Sequence, residues 1–452
     1  MAYKDFEAGD FIIEDIQIYG QLLPRVSIRN LMMELNIYED IHSPFVSGNI
    51  IIRDTMNHRA NMSMTGQEEL EFTLRTNDEC EEMDFKTERM RIYKIDNIIP
   101  TSNTEQSYTL HFISLDAMRN SQTRVKGAYR GSSDQIAKRI LKDVLKTEHD
   151  YYCEASGKFI HVLGNNRHPF EFLRICANKS ISRRHNTPGY LFYKNHRGYN
   201  FCSRNDILFD RNREPVDVVE DYFTAYQRPR VDVTEEMRTL LNYQVKNAQD
   251  TIRDNTNGLM NNTHYTFNRT GKSFSKNVSS YETYSNSKLL DGEILYTTTP
   301  EKNREGLFDF SDGTVTTSSF DKYLHSIDAN DTHDYTNTGS KDPDRLRETS
   351  SYLQRVKVQM HGNSNLAAGD VIRLNLPKHE PVDRPQKEQY DVFMSGRYII
   401  ESINHQVSNL GYITTCDCIK ASVEVPYESN KQSIKDTNLD KQKTPTEVTQ
   451  RL

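Results

Sequence analysis

Hydrophobic and polar residues alternate strictly along several short stretches near the start of the chain. Over 69–75, Leu70, Phe72 and Leu74 fall on one side, and Glu69, Glu71, Thr73 and Arg75 on the other. That is the period of a strand with one buried and one wet face. Tyr108, Leu110 and Phe112 repeat it, and 11–18, 46–52 and 91–99 are further strand candidates. Short strands parted by polar turns predict a small antiparallel barrel or sandwich.

The period changes after residue 130. Ser132 and Gln135 have the spacing of a capping box, in which each side chain closes a backbone N–H at the start of a helix. Ile136, Ile140, Leu141, Val144 and Leu145 then form one apolar stripe, predicting a helix that ends near Thr147. Pro169 is placed as the first residue of a second helix, where a missing N–H costs nothing. Phe170, Phe172, Leu173, Cys176 and Ala177 supply its buried side. Both stripes read as ordinary core. An aromatic hairpin follows, with 190–193 and 199–202 as arms and Asn195-His196-Arg197-Gly198 as the turn.

Residues 223–247 carry mixed patterning that could begin a second strand region. From about 250 to 350 the chain is rich in Asn, Ser, Thr, Asp and Lys, so 254–262 and 273–287 are expected to be loops and 326–345 a long exposed excursion. Alternation returns at Val356, Val358 and Met360, and at Ile372, Leu374 and Leu376. A glycine-bearing turn, 362–370, joins them, and a polar loop at 378–389 leads to the strand around 398–400. Tyr412, Thr414, Cys416 and Cys418 share one face of a last strand. Gly362, Gly369 and Gly396 are expected to serve as turn or close-approach positions. Beyond Pro426 the pattern stops, and 427–452 form a polar tail.

Composition narrows the function classes. The chain has 452 residues, 35% hydrophobic and 27% charged, with 25 Tyr, 19 Phe and no Trp. It is long enough for several cores, and it keeps much polar surface for partners. A net charge of −7 gives no global basic footprint for nucleic acid. The first ten residues lack the apolar segment of a secretory signal, and no stretch nears the ~20 apolar residues that span a bilayer. The expectation is synthesis in a cytoplasm without a standard export signal. Six scattered cysteines (80, 153, 176, 202, 416 and 418) do not suggest a disulfide framework.

The motifs nearest to known chemistry lack the residues or spacing that chemistry needs. Gly271-Lys272-Ser273 resembles the end of a phosphate loop, but the earlier glycine would fall at Thr266. Cys416 and Cys418 could turn both sulfurs to one face, yet no second ligand pair has zinc-site spacing. An oxygen-rich run begins at Asp328, but its sixth and twelfth positions hold His333 and Gly339, where a calcium loop needs glycine and a bidentate glutamate. No zinc-protease histidine spacing and no Gly-x-Ser-x-Gly elbow occurs. The reading names no catalytic, cofactor-binding or metal-binding residue and expects no enzyme.

The order of blocks resembles a known family. Ser47-Gly-Asn-Ile-Ile-Ile-Arg-Asp54 lies in the first strand block, and His168-Pro-Phe-Glu-Phe-Leu-Arg-Ile-Cys-Ala177 with Gly189-Tyr-Leu-Phe-Tyr193 looks like that family's helix-then-hairpin element. Leu366-Ala-Ala-Gly-Asp-Val-Ile-Arg373, Gly396-Arg-Tyr-Ile-Ile-Glu-Ser-Ile-Asn404 and 411–419 complete the match. With these, the chain resembles the central baseplate hub proteins of contractile-tailed, T-even-like phages and the N-terminal half of valine-glycine-repeat spike proteins of type VI secretion. The polar stretches around 266–350 and 378–389 have no counterpart, and no glycine-rich needle repeat or lysozyme-like domain is recognisable.

The resemblance implies a mainly β, α+β chain. Two small antiparallel β-barrels carry an inserted helix-hairpin domain and assemble as a pseudo-sixfold trimer ring. Its expected boundaries are 1–118 for the first barrel, 119–215 for the insertion, and 216–262 with 352–425 for the second barrel. A polar insertion of loops fills 263–351, and a flexible tail fills 426–452. It further implies a hub joining a threefold spike to a sixfold tail tube around a DNA channel, in the tail baseplate of a virion made in a host cytoplasm. Its partners would be two further copies of itself, a spike or needle protein, a tail tube or tube-initiator protein, baseplate wedge proteins, and DNA that passes without specific binding. No cofactor is implied. The alternatives are the hub half of a type VI or extracellular contractile injection spike and, less in keeping with the residues, a peptidoglycan hydrolase or a β-rich adhesin monomer.

Overall fold

A computed structural model describes residues 7–423, apart from 21–24, 62–63, 77–79, 88, 103, 158, 211, 213–214, 225–232, 248–249, 257, 260, 269–271, 281–292, 295–313, 321–353, 379–389 and 392. The tail at 427–452, the excursion at 326–345 and nearly all of the 378–389 loop therefore lie outside the described residues. No helix among the described residues is long and apolar enough to cross a membrane.

Among the described residues the fold is mainly β, with three hydrophobic cores. The first is built by strands from 12 to 114, the second by strands from 221 to 420, and the third by the helices and hairpin of 125–201. In the second block six strands close into a barrel: Val371–Asn375, Asp221–Thr224, Thr239–Asn247, Gln354–His361, Gly411–Lys420 and Gly396–Ser408, the last returning to the first. Asp221–Thr224 lies parallel to both of its neighbours, so this barrel is not wholly antiparallel. Parallel neighbours need a crossover and not a tight turn between them, and the short helix Val233–Met237 lies between Asp221–Thr224 and Thr239–Asn247 in the chain.

The first block continues the same sheet. Met32–Asp40 pairs with Gly396–Ser408, and beyond it come Ser47–Asp54, Gln106–Ser114, Met90–Pro100, Glu69–Glu71, Gln17–Tyr19 and Val26–Ser27. The 13-residue strand Gly396–Ser408 makes this continuity possible. One of its edges pairs with Gly411–Lys420 from Ile399 to Ser408. On the other edge, Gly396 to Ile399 pair with Val371–Asn375, and Ser402 to Ser408 pair with Met32–Asp40. The register shifts between Ile400 and Ser402. An irregularity of this kind bends and twists a strand, so the strand leaves one neighbour and takes up another at Glu401. Val407 and Tyr412, though from the second block, are buried in the first core, so the seam is packed as well as hydrogen-bonded.

Alternation predicts several faces correctly. Tyr108, Leu110 and Phe112 are buried, as are Tyr412, Thr414, Cys416 and Cys418. The reading of 69–75 needs correction: Glu71 and Thr73 are buried too, at 6% and 3% exposure. The stretch splits at Phe72. Glu69–Glu71 joins the large sheet, and Thr73–Arg75 joins a three-stranded sheet with Ile12–Ile13 and Met83–Asp84. A strand that changes sheets has core or neighbouring chain on both sides.

The helical block also differs in detail. Ser132 stands at the N-cap, but its side chain makes no capping hydrogen bond. The Ser156 hydroxyl instead accepts from the Ser133 N–H at 2.8 Å, and Asp134 binds the Ser156 hydroxyl at 3.1 Å. A tertiary partner has replaced the local capping box. The helix Ser133–Arg139 widens into a π turn, Ile140–Leu145, and stops at Lys146, whose φ is 52°. Pro169 is the first residue of the second helix, Pro169–Lys179. A further helix, Leu115–Gln122, runs across position 118.

The polar stretch after 250 is more ordered than its composition implies. Thr251–Thr256 is helical, and Asn261–Asn268 pairs with Ser273–Ser280 and with Thr314–Phe320. The loops expected at 254–262 and 273–287 are thus partly helix and strand, and the insertion at 263–351 contains a three-stranded sheet. Its sequence is rich in Ser, Thr and Asn and lacks an apolar alternation, and the strands are joined by backbone pairing. Lys272 sits in the hairpin turn with φ 47°, so Gly271-Lys272-Ser273 does not lead from a strand into a phosphate-binding helix.

Candidate functional site

The three cores meet at one buried carboxylate. Glu39 lies near the end of the strand Met32–Asp40 and is 2% exposed. It accepts from the His196 backbone N–H at 2.8 Å and from the Ala368 N–H at 3.0 Å, and its Oε1 lies 2.9 Å from His196 Nδ1. One side chain therefore ties the first block to the hairpin turn of the insertion and to the 362–370 loop of the barrel. Burial alone would raise its carboxyl pKa. The facing His196 ring, their hydrogen bond and the Ala368 N–H outweigh burial and hold it below the usual carboxylate range.

Further bonds brace the same junction. Lys194 N–H donates to Ser43 O at 3.1 Å, and the Asn195 amide donates to Ala368 O at 3.2 Å. Arg197 pairs with Asp370 at 2.8 Å and donates to Asn365 O. On the other flank Thr76 and Ser364 bind each other, with Ser364 N–H 2.8 Å from the Thr76 hydroxyl.

Two of the sequence-picked glycines belong to this junction. A Cβ on Gly362 would fall within the ring of Tyr412, a fully buried residue. Gly369 has φ +94°, and a Cβ there would collide with the Tyr193 hydroxyl of the hairpin. Gly396 opens the long strand with φ +127°. Cys416 and Cys418 are free and buried in the barrel core, where burial pushes both thiols upward, so neither is a ready thiolate. The loop beginning at Asp328 lies outside the described residues. Sequence reasoning missed Glu39. It stands among polar neighbours at the end of an alternating strand, and its partners are distant in the chain.

Beside the junction lies a cavity of about 590 Å³. The hairpin, the helix Arg204–Leu208 and the barrel segments 216–219 and 368–371 line it, with Tyr152, Tyr193, Asp206, Asp217 and Asp370 among its walls.

His405 completes the buried network. Its Nδ1 lies 2.6 Å from the Tyr412 hydroxyl, and burial drives its pKa down to about 4 despite the attraction of Glu39. The sign of the pH dependence follows. An unfolded His405 takes up a proton near pH 6.5, whereas the folded one resists until about 4. Stability should therefore be full above pH 6.5 and fall by about 3 kcal/mol toward pH 4. Glu39, with its lowered pKa, adds a further loss below the ordinary carboxylate range. Urea unfolding across this window checks the slope, and His405→Gln should flatten it. An unchanged slope in that variant would assign the acid sensitivity elsewhere.

No protein-family model matches the sequence, and no curated protein matches it. Solved structures do. The tail protein from Neisseria meningitidis MC58 superposes with a TM-score of 0.52 at 10% identity, covering 91% of this chain and 97% of that one. The 43 kDa tail protein of prophage MuSo2 from Shewanella oneidensis gives 0.49 at 8% identity, over 91% and 100% of the two chains. An E. coli component of the type VI secretion system, described as structurally similar to the T4 bacteriophage tail proteins gp27 and gp5, gives 0.42 at 11% identity, over 91% and 79%. The chain therefore shares the fold of the tail protein from Neisseria meningitidis MC58, in keeping with the resemblance to tail proteins noted in its sequence.

Proposed function

We propose that this chain is a structural tail protein, the central hub of a baseplate, which joins a threefold spike to a sixfold tail tube and encloses a channel for DNA. The observation that carries this reading is the seam. Two strand blocks with separate cores stand side by side in one continuous sheet, joined through the Met32–Asp40 and Gly396–Ser408 pairing. The Glu39 node locks the insertion against both of them. Such a pair is a rigid double unit. Three copies in a ring would present six related blocks to a sixfold tube while keeping threefold symmetry for a spike. The tail-protein fold over 91% of the chain supports the same reading. The remaining partners in this proposal are tube or tube-initiator and wedge proteins, and the place of action is the tail baseplate of a virion. A net charge of −7 suits a channel through which DNA passes without adhering.

Light scattering on the purified chain tests the proposal. The expected result is a mass close to three times 52.6 kDa for the chain alone, or three copies of the chain per complex once a spike protein is added. A monomer under both conditions would remove the ring. In the same assay, removing 427–452 should weaken retention of the spike, and unchanged retention would free the tail of that role.

A further inference from the structure

We propose that Glu154, His185 and Asp206 form a binding site for one divalent transition-metal ion, with zinc the best fit. One ligand atom from each lies within 4.8 Å of the others. His185 Nε2 is 3.7 Å from an Asp206 carboxylate oxygen. The His185 side chain is fully buried, and neither ring nitrogen has a hydrogen-bond partner among the described residues. Burying an imidazole with both nitrogens unpaired is costly and calls for a partner. Here the ring faces two carboxylates that are themselves buried, Glu154 at 2% residue exposure and Asp206 at 3% for its side chain. Two such carboxylates close together repel one another, and a dication relieves that repulsion.

The surroundings hold the three groups in place. Glu154 directly follows the strand Tyr151–Cys153, and its N–H donates to Phe201 O at 2.9 Å. Its carboxylate accepts from the Ser203 N–H at 2.7 Å and from the Ser182 hydroxyl. That same hydroxyl accepts from the His185 N–H at 2.9 Å, fixing the turn that carries the imidazole. Asp206 belongs to the helix Arg204–Leu208 and accepts from the Tyr152 hydroxyl at 2.6 Å and from Arg184. Outer bonds of this kind orient metal ligands, and they leave acceptor lone pairs on each carboxylate. Arg184 is the cation a metal would compete with. Its side chain is 29% exposed and can withdraw toward solvent.

An imidazole with two carboxylates suits zinc, and Zn–N and Zn–O bonds of about 2.0–2.2 Å require the three ligand atoms, which lie within 4.8 Å of one another, to close on the ion. The fourth position falls to water, which can arrive through the neighbouring cavity that Asp206 and Tyr152 line. The ion would fasten the strand end, the 181–187 turn and the helix behind the docking hairpin, so its role is structural. This inference stands apart from the hub proposal.

The test is zinc binding by the full chain after chelator treatment, read by metal analysis after dialysis and by the melting temperature. One zinc per chain is expected, with a higher melting temperature that magnesium does not reproduce. His185→Ala and Asp206→Asn should each weaken binding at least 100-fold. Absence of binding by the wild-type chain, or undiminished binding by either folded variant, would overturn the site. Cobalt in the wild-type chain gives a readout that needs no variant. Bands without sulfur charge transfer support the three ligands, and a strong thiolate band would place the ion on cysteine and reject them.

Discussion

Replacing Glu39 with alanine should cost about 3–5 kcal/mol and loosen the insertion from both strand blocks. Three groups lose their acceptor at once: the His196 N–H, the His196 ring and the Ala368 N–H. The His196 ring and Ala368 are buried and the His196 N–H is partly so, and each orphaned buried donor carries a desolvation penalty of about 1–3 kcal/mol, partly recovered by relaxation. Glu39→Gln should do less harm, because the amide oxygen retains one acceptor. Chemical denaturation measures the loss, and hydrogen exchange locates it. The amides of His196 and Ala368 should lose protection together although they are 172 residues apart (368 − 196). Protection unchanged at either amide would mean that Glu39 does not tie the insertion to the barrel.

Gly362→Ala is expected to destabilise the chain by about 3 kcal/mol or more, at the upper end for an overpacked core. The added methyl would fall within the Tyr412 ring, not against a flexible side-chain end. Backbone bonding leaves little room to retreat, since Gly362 N–H donates to Tyr412 O at 2.8 Å. Tyr412 in turn carries the contact with His405 and packs in the first core. The strain should therefore spread to the seam between the blocks. Combining Gly362→Ala with Tyr412→Ala should cost clearly less than the sum of the two single changes, because the double variant removes the clash. Additive losses would show that the ring is not what confines Gly362.

Local patterning was enough wherever an element satisfies its own requirements. Pro169 begins its helix because proline is tolerated at the first helical position. Tyr190–Asn195 and Gly198–Ser203 form a hairpin about a two-residue turn, with Gly198 at positive φ. The faces of 108–112 and 412–418 follow from a period of two residues. For the candidate site, only Gly362 and Gly369 were legible, as glycines within a turn. The metal cluster was not, since Glu154, His185 and Asp206 are separated by 31 and 21 residues (185 − 154 and 206 − 185) and share no ligand spacing.

By itself, the amino-acid sequence determined the strongly patterned strands, helices and turns, because those depend on side-chain period and on backbone restrictions within a few residues; the polar strands Asn261–Asn268 and Ser273–Ser280, which carry no such period, were read as loops in part. Tertiary structure decided the rest. Ser156 took over the helix cap for which Ser132 and Gln135 have the spacing, because a distant hydroxyl reached the Ser133 N–H. Glu71 and Thr73 were buried because their strand changes sheets at Phe72. The irregularity at Glu401 gave one strand two neighbours on the same edge, closing a barrel while extending its sheet. Glu39 gained its place only when three segments remote in the chain brought two N–H groups and an imidazole to one buried carboxylate. Each of these outcomes depends on long-range partners, and the energy of a buried polar group is set by the partners it meets, not by its neighbours in sequence.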